Sequence, residues 1–488
     1  MAKIDELNSW HSNWKDLKVA VIGLGVSGFS IADTLAELGA DLKVFAVKAE
    51  PEYLDILDVL GVDVLTGAAA EGLPSELVSF SPELILTSPG VKPDSPIIEW
   101  AGANHVPVWI DVDLAWRLRD KTERVAKWVC ITGTNGKTTT TQLTTEMLRA
   151  GGLRTAACGN IGVPILDCIR EPEGFDALVV ELSSFQLHYL NHISPHASAI
   201  LNIDNDHLDW HGSFENYAQA KAKVYANTSI ACVYNVADKL TESLLEEADV
   251  IEGARAIGFT LGAPSLSQIG YVEDSLCDRA FLDDRKNTAL ELATLEDIAE
   301  IGVVTKHLLA NVAAASALAR ALDVSPGDIS KAIREFKLDA HRIELVGVFD
   351  GITYIDDSKA TNPHAAQASL SSFEHVVWLV GGLLKGVDIT PLVESNKSRL
   401  RGAVVIGVDR EPVMSALASV APDVPVIEID STDPSQVMTH AVRAAKNLAM
   451  PGDTVLLAPA SASMDQFKDY ADRGSQFAAA IREAGEAS

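Results

Sequence analysis

The chain has 488 residues, of which 47% are hydrophobic, and its formal net charge is −29 at pH 7. This length predicts about three domains of ordinary size, each able to bury a core. A surface this acidic argues against nucleic-acid binding, so any bound anion must be held by a local concentration of lysine and arginine.

Cysteine usage and hydropathy predict the compartment. The five cysteines are scattered, without the close pairs of a zinc site or a disulfide framework, which fits a reducing environment. The first residues are polar, and no apolar run approaches the roughly 18 residues that a membrane helix needs. We therefore expect a cytoplasmic protein.

The N-terminal part begins like a nucleotide-binding βαβ unit. A strand pattern over residues 19–22 runs into a G-x-G-x-x-G sequence ending at Gly28, and a helix pattern follows to Leu38. A second strand begins at Leu42, but residues 45–48 lack the acid that would bind a dinucleotide ribose. The glycines are expected to serve helix–strand packing or a different phosphorylated ligand.

The central feature is a phosphate-loop pattern. Apolar residues 128–132 precede a glycine-rich turn, which a helix pattern follows. Glycines let backbone N–H groups approach a polyphosphate, and the helix N-terminus adds partial positive charge. Lys137 can reach the β- and γ-phosphates, and the Thr138 hydroxyl can hold Mg²⁺. Ile131 replaces the first glycine of a strict Walker A motif, so an ordinary turn is the alternative.

Two acidic sites follow later strand patterns in this part. Glu181 ends a strand pattern that begins at Asp176, and it could ligate the Mg²⁺ of ATP or be an ordinary capping or surface glutamate. His207 lies among the carboxylates of residues 204–209, which makes it a metal candidate without diagnostic ligand spacing.

Lys221 occupies an unusual position in a helix pattern. Phe214, Tyr217, Lys221, Val224 and Tyr225 are spaced to share one helix face. A lysine on an apolar face either extends its amine to solvent or is buried for a functional reason. Burial would lower its pKa towards that of a neutral, nucleophilic amine.

The remaining chain predicts further α/β structure. A helix pattern covers residues 307–322, whereas residues 240–300 give no readable pattern. Strand patterns recur at residues 376–380, 403–406, 424–427 and 454–457. The predicted fold is α/β with three domains: a Rossmann-like domain at residues 1–120, a central P-loop ATPase-type domain at 121–338 and a Rossmann-like domain at 339–488.

Several motifs together resemble the Mur ligase family, the ATP-dependent amide-bond-forming enzymes of peptidoglycan precursor synthesis. The resemblance covers essentially the whole chain and rests on the stretches Gly133-Thr-Asn-Gly-Lys-Thr138, Glu181-Leu-Ser-Ser-Phe-Gln186, Asp356-Asp-Ser-Lys-Ala-Thr-Asn362 and Ser463-Met-Asp-Gln-Phe467. The last three are most similar to the members that add D-glutamate. The resemblance implies ligation of D-glutamate to UDP-N-acetylmuramoyl-L-alanine through an acyl phosphate, with ATP as co-substrate and two Mg²⁺ ions.

The resemblance also implies residue roles. The UDP-substrate would contact Val26, Ser27, Ser88, Pro89, Gly90 and Asn160. ATP would contact Gly133, Thr134, Asn135, Gly136, Lys137, Thr138, Thr139, Asn311, Arg342 and Asp357. The metal ions would be held by Thr138, Glu181, His207 and a carbamylated Lys221, and D-glutamate by Lys359, Thr361, Lys385, Ser463 and Tyr470. Lys137, His207 and Lys221 would be the catalytic residues.

The chain departs from the family pattern at three positions: Ala46 stands where Asp is frequent, Leu308 where Asn is common, and Tyr470 where Phe is usual. Two alternatives stay open. A folylpolyglutamate synthetase-like ligase would not be expected to have residues 1–120, and a regulatory nucleotide-binding protein would not require Lys221 on an apolar face. We expect small-molecule substrates and a monomer.

Overall fold

The computed structural model describes residues 4, 6–384, 386–430 and 434–486. The chain forms two compact units, one of Met1–Thr294 with Ala310–Ile333 and one of Leu295–Leu309 with Arg334–Ser488. The strands form three sheets, in which parallel pairing dominates. The predicted α/β class is thereby confirmed, while the domain boundaries near residues 120 and 338 stay predictions.

The first sheet lies in the first unit and is parallel throughout, with strand order β3-β2-β1-β4-β5. Its strands are β1 Lys18–Leu24, β2 Asp41–Ala49, β3 Asp63–Thr66, β4 Leu84–Thr87 and β5 Val108–Trp109. The helices are α1 Val26–Glu37, α2 Pro51–Val59, α3 Ser75–Phe80, α4 Pro96–Ala103 and α5 Asp111–Leu118, with a 3₁₀ turn at Gly67–Ala70. The βαβ start predicted from the glycine pattern is therefore present.

The second sheet also lies in the first unit, with order β14-β13-β12-β11-β10-β9-β6-β8-β7. Its strands are β6 Lys127–Thr132, β7 Thr155–Gly159, β8 Ala177–Glu181, β9 Ala197–Ile200, β10 Ala231–Asn235, β11 Arg255–Phe259, β12 Gln268–Val272, β13 Ser275–Asp278 and β14 Leu290–Thr294. Only the β12–β13 and β13–β14 pairs are antiparallel among its described pairs. The region without a readable pattern thus extends this sheet.

Helices of the central region follow most strands of the second sheet. They are α6 Lys137–Ala150, α7 Ile165–Arg170, α8 Ser184–Tyr189, α9 Leu208–His211, α10 Phe214–Ala222, α11 Lys239–Glu246, α12 Leu295–Ala299, α13 Lys306–Arg320 and α14 Pro326–Glu335, with a 3₁₀ turn at Lys223–Tyr225. The helix predicted over residues 307–322 corresponds to α13.

One hydrophobic cluster runs beneath both sheets of the first unit. It contains buried side chains of β1 and α1, such as Val21 and Ile31, together with Cys130 of β6 and Val180 of β8. Hydrogen bonds reinforce this packing, because the Ser30 hydroxyl donates to Asp167 Oδ1 at 2.6 Å. The two sheets therefore share a core.

The third sheet lies in the second unit, with order β15-β16-β20-β17-β18-β19. Its strands are β15 Glu344–Phe349, β16 Ile352–Asp356, β17 Val376–Gly381, β18 Leu400–Ile406, β19 Val426–Glu428 and β20 Thr454–Leu457. The helices are α15 Pro363–Leu370, α16 Thr390–Asn396, α17 Glu411–Val420, α18 Pro434–Leu448 and α19 Tyr470–Glu486. Among the described pairs, only β15 with β16 is antiparallel.

Both faces of the third sheet are covered, as the apolar sequence of β17 requires. Val376, Trp378 and Val380 belong to one buried cluster, whereas Val377 and Leu379 belong to another. Side chains of successive strand residues point to opposite faces, so an uninterrupted apolar strand needs helices on both sides. None of the helices within the described residues is long and apolar enough to cross a membrane.

Candidate active site

The phosphate-loop pattern forms the turn between β6 and α6. Gly136 precedes the helix with φ of 83°, a left-handed conformation that favours glycine, and Lys137 is the first helical residue. The Asn202 side chain braces the turn, because its Oδ1 accepts from the Asn135 N–H at 2.8 Å and its Nδ2 donates to the Asn135 carbonyl at 3.1 Å. The turn thus presents a helix N-terminus at the carboxyl end of a parallel strand, where anions bind.

Two lysines converge on one carbonyl of this turn. Lys137 Nζ and Lys221 Nζ each donate to the Gly133 carbonyl oxygen at 2.9 Å. Lys221 is only 2% exposed, so of the two alternatives that the sequence left open, a solvent-directed or a buried amine, the structure has the buried one. Burial, reinforced by the positive charge of Lys137, holds the pKa of the Lys221 amine well below its usual range.

Neighbouring polar groups fix the surroundings of Lys221. The Tyr217 hydroxyl and the Thr134 hydroxyl are 2.8 Å apart, and the Asp204 N–H donates to Thr134 Oγ1 at 2.9 Å. Lys221 Nζ lies 4.8 Å from the centre of the Tyr217 ring. These contacts join α10 to the phosphate loop and place the Lys221 amine at the base of that loop.

Glu181 has one carboxylate oxygen that accepts no hydrogen bond from the described residues. The side chain is 1% exposed; its Oε1 accepts from Asn160 Nδ2 at 2.9 Å, while Oε2 has no hydrogen-bond partner among the described residues. A buried acceptor without a donor is costly unless something else satisfies it. An anionic oxygen in this state fits a hard cation such as Mg²⁺. This contact places Asn160, which the resemblance assigns to the UDP-substrate, beside Glu181.

His207 directly precedes α9 and has a left-handed conformation, with φ of 52°. Its ring is 4.7 Å from the ring of Phe185, and its Nε2 is 3.6 Å from Asp206 Oδ2. Burial lowers the pKa of His207, although Asp206 opposes the shift. A neutral imidazole has a free nitrogen lone pair, which is the form that binds a metal.

Asn311 of α13 lies directly against the phosphate loop. A Cβ atom added at Gly136 would come within 2.3 Å of Asn311 Oδ1. Because Gly136 has no side chain, α13 can approach the phosphate loop closely. Asn311, which the resemblance assigns to ATP, therefore lies beside the phosphate-loop residues assigned to the same ligand. The hydroxyl-bearing residues Thr138 and Thr139 continue the first turn of α6.

Replacing Gly136 with alanine should weaken ATP binding strongly. The added methyl group would displace the Asn311 side chain. The alanine would also have to keep the left-handed backbone conformation of Gly136, which costs about 1–2 kcal/mol. Gly152 is a matched control, because its φ is 84° and an added Cβ would meet no described atom within 4 Å. Calorimetric titration with ATP and thermal unfolding should show similar destabilisation in both variants but lost affinity only in Gly136→Ala. Equal ATP affinity in both variants would exclude the steric role.

The residues assigned to the UDP-substrate, apart from Asn160, lie just after the ends of β1 and β4. A Cβ at Gly23 would lie 2.5 Å from Ser88 Oγ, so the glycine-rich turn and the turn after β4 touch. Val26 is 58% exposed, Gly90 is exposed, and Ser27 and Pro89 are half-buried beside them. Ala46, where the family often has Asp, is buried in β2 and provides only a methyl group.

The second unit gathers its own set of charged residues at strand ends. Asp357 follows β16 and accepts from the Ile343 N–H at 3.3 Å and from the Ser369 hydroxyl. Burial raises the pKa of Asp357 to about 6, while Ser369 and Arg342 act against the shift. Arg342 Nε is buried without a hydrogen-bond partner among the described residues, so a donor remains for a ligand.

Among the residues assigned to D-glutamate, Lys359 and Tyr470 are in direct contact. Lys359 Nζ donates to the Tyr470 hydroxyl at 3.0 Å and lies 4.5 Å from that ring's centre. Ser463 is buried in the loop after β20, and Thr361 is exposed next to the start of α15. Lys385 lies outside the described residues.

Sequence reasoning missed two buried charged residues. The buried Asp111 carboxylate accepts from the Val112 N–H at 3.0 Å, and burial raises its pKa to about 6, while the nearby Ser27 and Gln186 side chains act against the shift. Arg473 of α19 has no exposed surface and contacts the Ser358 loop. Neither residue stands in a recognisable motif, and each finds its partners only in the folded chain.

The sheet topology and the phosphate loop define a nucleotide-binding α/β protein. Three family models match successive parts of the chain: "Mur ligase MurD-like, N-terminal domain" at residues 17–110, "Mur ligase middle domain" at 131–319, and "Mur ligase, glutamate ligase domain" at 341–461. The chain belongs to the Mur ligase family.

Relatives match along nearly the full length. A UDP-N-acetylmuramoylalanine--D-glutamate ligase of Leifsonia xyli is 56% identical, with 99% of this chain and 95% of the relative covered. The Streptomyces coelicolor enzyme of the same name is 50% identical, with 97% and 99% covered.

Solved structures share the fold at low sequence identity. The UDP-N-acetylmuramate-alanine ligase MurC of Thermotoga maritima is 19% identical with a TM-score of 0.53, and 96% of this chain and 99% of that chain are covered. The MurF ligase of Thermotoga maritima in complex with ADP is 18% identical with a TM-score of 0.54, and 97% and 96% are covered.

Proposed function

We propose that the protein is an ATP-dependent ligase that joins D-glutamate to UDP-N-acetylmuramoyl-L-alanine in cytoplasmic peptidoglycan precursor synthesis. The observation that carries this proposal is the 56% identity, over 99% of the chain, to a relative named for that activity. The phosphate loop with its two lysines supports it, because this reaction begins with phosphoryl transfer. ATP, the muramoyl nucleotide and D-glutamate are the small-molecule partners, and a monomer suffices for the reaction.

The reaction proceeds by activation of an acid. The muramoyl-L-alanine carboxylate oxygen attacks the γ-phosphorus, the bond from that phosphorus to ADP breaks, and an acyl phosphate forms. The D-glutamate amine then attacks the acyl carbon; the bond from that carbon to the phosphate oxygen breaks, and the amine loses a proton. Lys137 faces the transferring phosphoryl group, where its positive charge stabilises the charge that develops.

Two Mg²⁺ ions would be held by Thr138, Glu181, His207 and a carbamylated Lys221. The buried Glu181 Oε2, which has no hydrogen-bond partner among the described residues, supports a cation there. Bound Mg²⁺ neutralises phosphate charge during transfer. The chain's own contribution is to hold these ligands at the ends of β6, β8 and β9 and at α10.

The three predicted domains divide the substrates between them. Residues 1–120 bind the UDP moiety, 121–338 bind ATP through the phosphate loop and Asn311, and 339–488 bind D-glutamate. Arg342 and Asp357 contact the nucleotide, and Lys359, Thr361, Lys385, Ser463 and Tyr470 surround the amino acid. The pairing of Lys359 with Tyr470 supports this assignment, because it places a cation where a carboxylate could bind.

D-glutamate should be used in strong preference to L-glutamate. The site would hold the two carboxylates of glutamate at separate points and direct its amine at the acyl carbon. These three contacts can be made together by only one enantiomer. Phosphate release, measured with each enantiomer at equal concentration, should require the muramoyl nucleotide and be at least about 10²-fold faster with the D form, since a misdirected amine loses its attack geometry. Equal rates for the two enantiomers, or release without an amino acid, would contradict the proposal.

A further inference from the structure

Arg473 is the fully buried arginine of α19, and its guanidinium bridges two loops. Its Nε donates to Ser358 Oγ at 2.9 Å and its Nη2 to the Ser358 carbonyl at 2.8 Å. Its Nη1 donates to the Ser461 carbonyl at 3.1 Å. Because burial of an unpaired cation is costly, these acceptors fix both loops around the guanidinium.

The first loop carries residues of the proposed amino-acid site. The Ser358 hydroxyl accepts from Arg473 and donates to the Tyr470 carbonyl at 2.7 Å, so its position is fixed from both sides. Lys359 follows directly, and its Nζ donates to the Tyr470 hydroxyl at 3.0 Å. Arg473 thus determines, through Ser358, where Lys359 and Tyr470 lie.

The second loop carries Ser463 and touches a third stretch. Ala462 exchanges backbone hydrogen bonds with Leu383, at 2.8 and 3.2 Å. A Cβ atom at Gly382 would come within 2.5 Å of the Ala462 carbonyl and 3.5 Å of Arg473 Nη1. The loops after β16, β17 and β20 therefore meet around one guanidinium.

We propose that Arg473 is a positioning residue for D-glutamate. It holds the Ser358 and Ser461 loops at the spacing at which Lys359, Ser463 and Tyr470 bind the amino acid, without touching that substrate itself. Its lack of exposed surface and its donation from all three guanidinium nitrogens to the protein are the reasons. The inference rests on the proposed function and adds to it a residue outside the substrate site.

The test is a steady-state comparison of Arg473→Ala, Arg473→Lys and Ser358→Ala with the wild-type enzyme. Arg473→Ala should raise the KM for D-glutamate about tenfold or more, because its loss releases both loops, and leave the KM for ATP and for the muramoyl nucleotide within about twofold. Arg473→Lys should have a KM for D-glutamate between those of the wild type and Arg473→Ala, since an ammonium group lacks the planar arrangement of donors that reaches both loops. Arg482→Ala is the control, because Arg482 is exposed on the same helix, and it should match the wild type.

Chemical rescue separates positioning from general support of the fold. Guanidinium ions added to Arg473→Ala should lower the KM for D-glutamate towards the wild-type value, and urea at the same concentration should not. If Arg473→Ala does not fold, Arg473→Lys and Ser358→Ala carry the test, because each removes only part of the network.

Three outcomes would overturn the inference. An unchanged KM for D-glutamate in all three variants would show that the loops need no clamp. An equal rise in the KM values for D-glutamate, ATP and the muramoyl nucleotide would show that Arg473 only stabilises the fold. A wild-type enzyme that releases no phosphate in response to D-glutamate would overturn the proposed function together with this inference.

Discussion

Replacement of Lys221 by alanine is expected to abolish ligation, and acetate is expected to restore part of it. Lys221 is 2% exposed, and burial lowers the pKa of its amine, which favours the neutral form. A neutral amine attacks CO₂: an N–C bond forms, the nitrogen loses a proton, and a carbamate anion results. The charge at residue 221 thereby changes from positive to negative, which suits a Mg²⁺ ligand.

The substitutions at Lys221 should separate these charge states. Lys221→Ala should lose about 10³-fold in rate, the scale for a group that stabilises a phosphoryl-transfer transition state, and added acetate should return some of it. Lys221→Arg should remain inactive, because it keeps the positive sign. Lys223→Ala is the control, since Lys223 is exposed in the same segment. An active Lys221→Arg enzyme, or intact-protein mass spectrometry and side-chain density that both lack CO₂, would refute carbamylation.

Replacement of Lys137 by alanine is expected to abolish acyl-phosphate formation while binding of the UDP-substrate persists. Lys137 is the first residue of α6, and its Nζ lies against the Gly133 and Thr134 carbonyls of the phosphate loop. Its loss removes positive charge from the transferring phosphoryl group, for which a drop of about 10³-fold or more is expected. The proposed UDP-substrate site at β1 and β4 keeps all its residues.

Two measurements test this separation of roles. Reductive trapping of the acyl phosphate should give product with the wild-type enzyme and none with Lys137→Ala, and calorimetry should give similar affinity for the UDP-substrate. Lys127→Ala, which removes an exposed lysine at the start of β6, should behave as wild type in both assays. A large loss of UDP-substrate affinity in Lys137→Ala would show that the two sites are not separate.

The predictable parts of this protein are those whose physical requirement is local. The phosphate loop was recognisable because a positive φ at Gly136 and a helix beginning at Lys137 need particular residues in sequence. The helical spacing of its neighbours placed Lys221 on an apolar face, although it did not decide between a buried amine and one that reaches solvent. The strands β11–β14 are as long as β8 and β20, which were predicted, but each has polar residues among its apolar ones, so no apolar run marked them in the sequence.

Contacts between distant segments escaped prediction for a different reason. Asp111 is an ordinary helix-start residue until folding brings Ser27 and Gln186 to it. Arg473 likewise sits in a helix pattern, and only the folded chain shows that it is buried against the Ser358 loop. A single sequence records the residue type but not the partner, so buried charges of this kind are found from the structure.

The core shared by the first two sheets has a consequence for how such enzymes evolve. Because side chains of β1 and α1 pack in the same cluster as those of β6 and β8, the first unit is expected to unfold as one cooperative body. A foreign N-terminal sheet could replace the present one only if its buried faces matched those beneath the phosphate loop. We therefore expect that the N-terminal sheet cannot be exchanged as a separate domain. New specificity for the nucleotide sugar must arise by changes in the loops of this sheet, while the packed faces of α1 and α5 are retained.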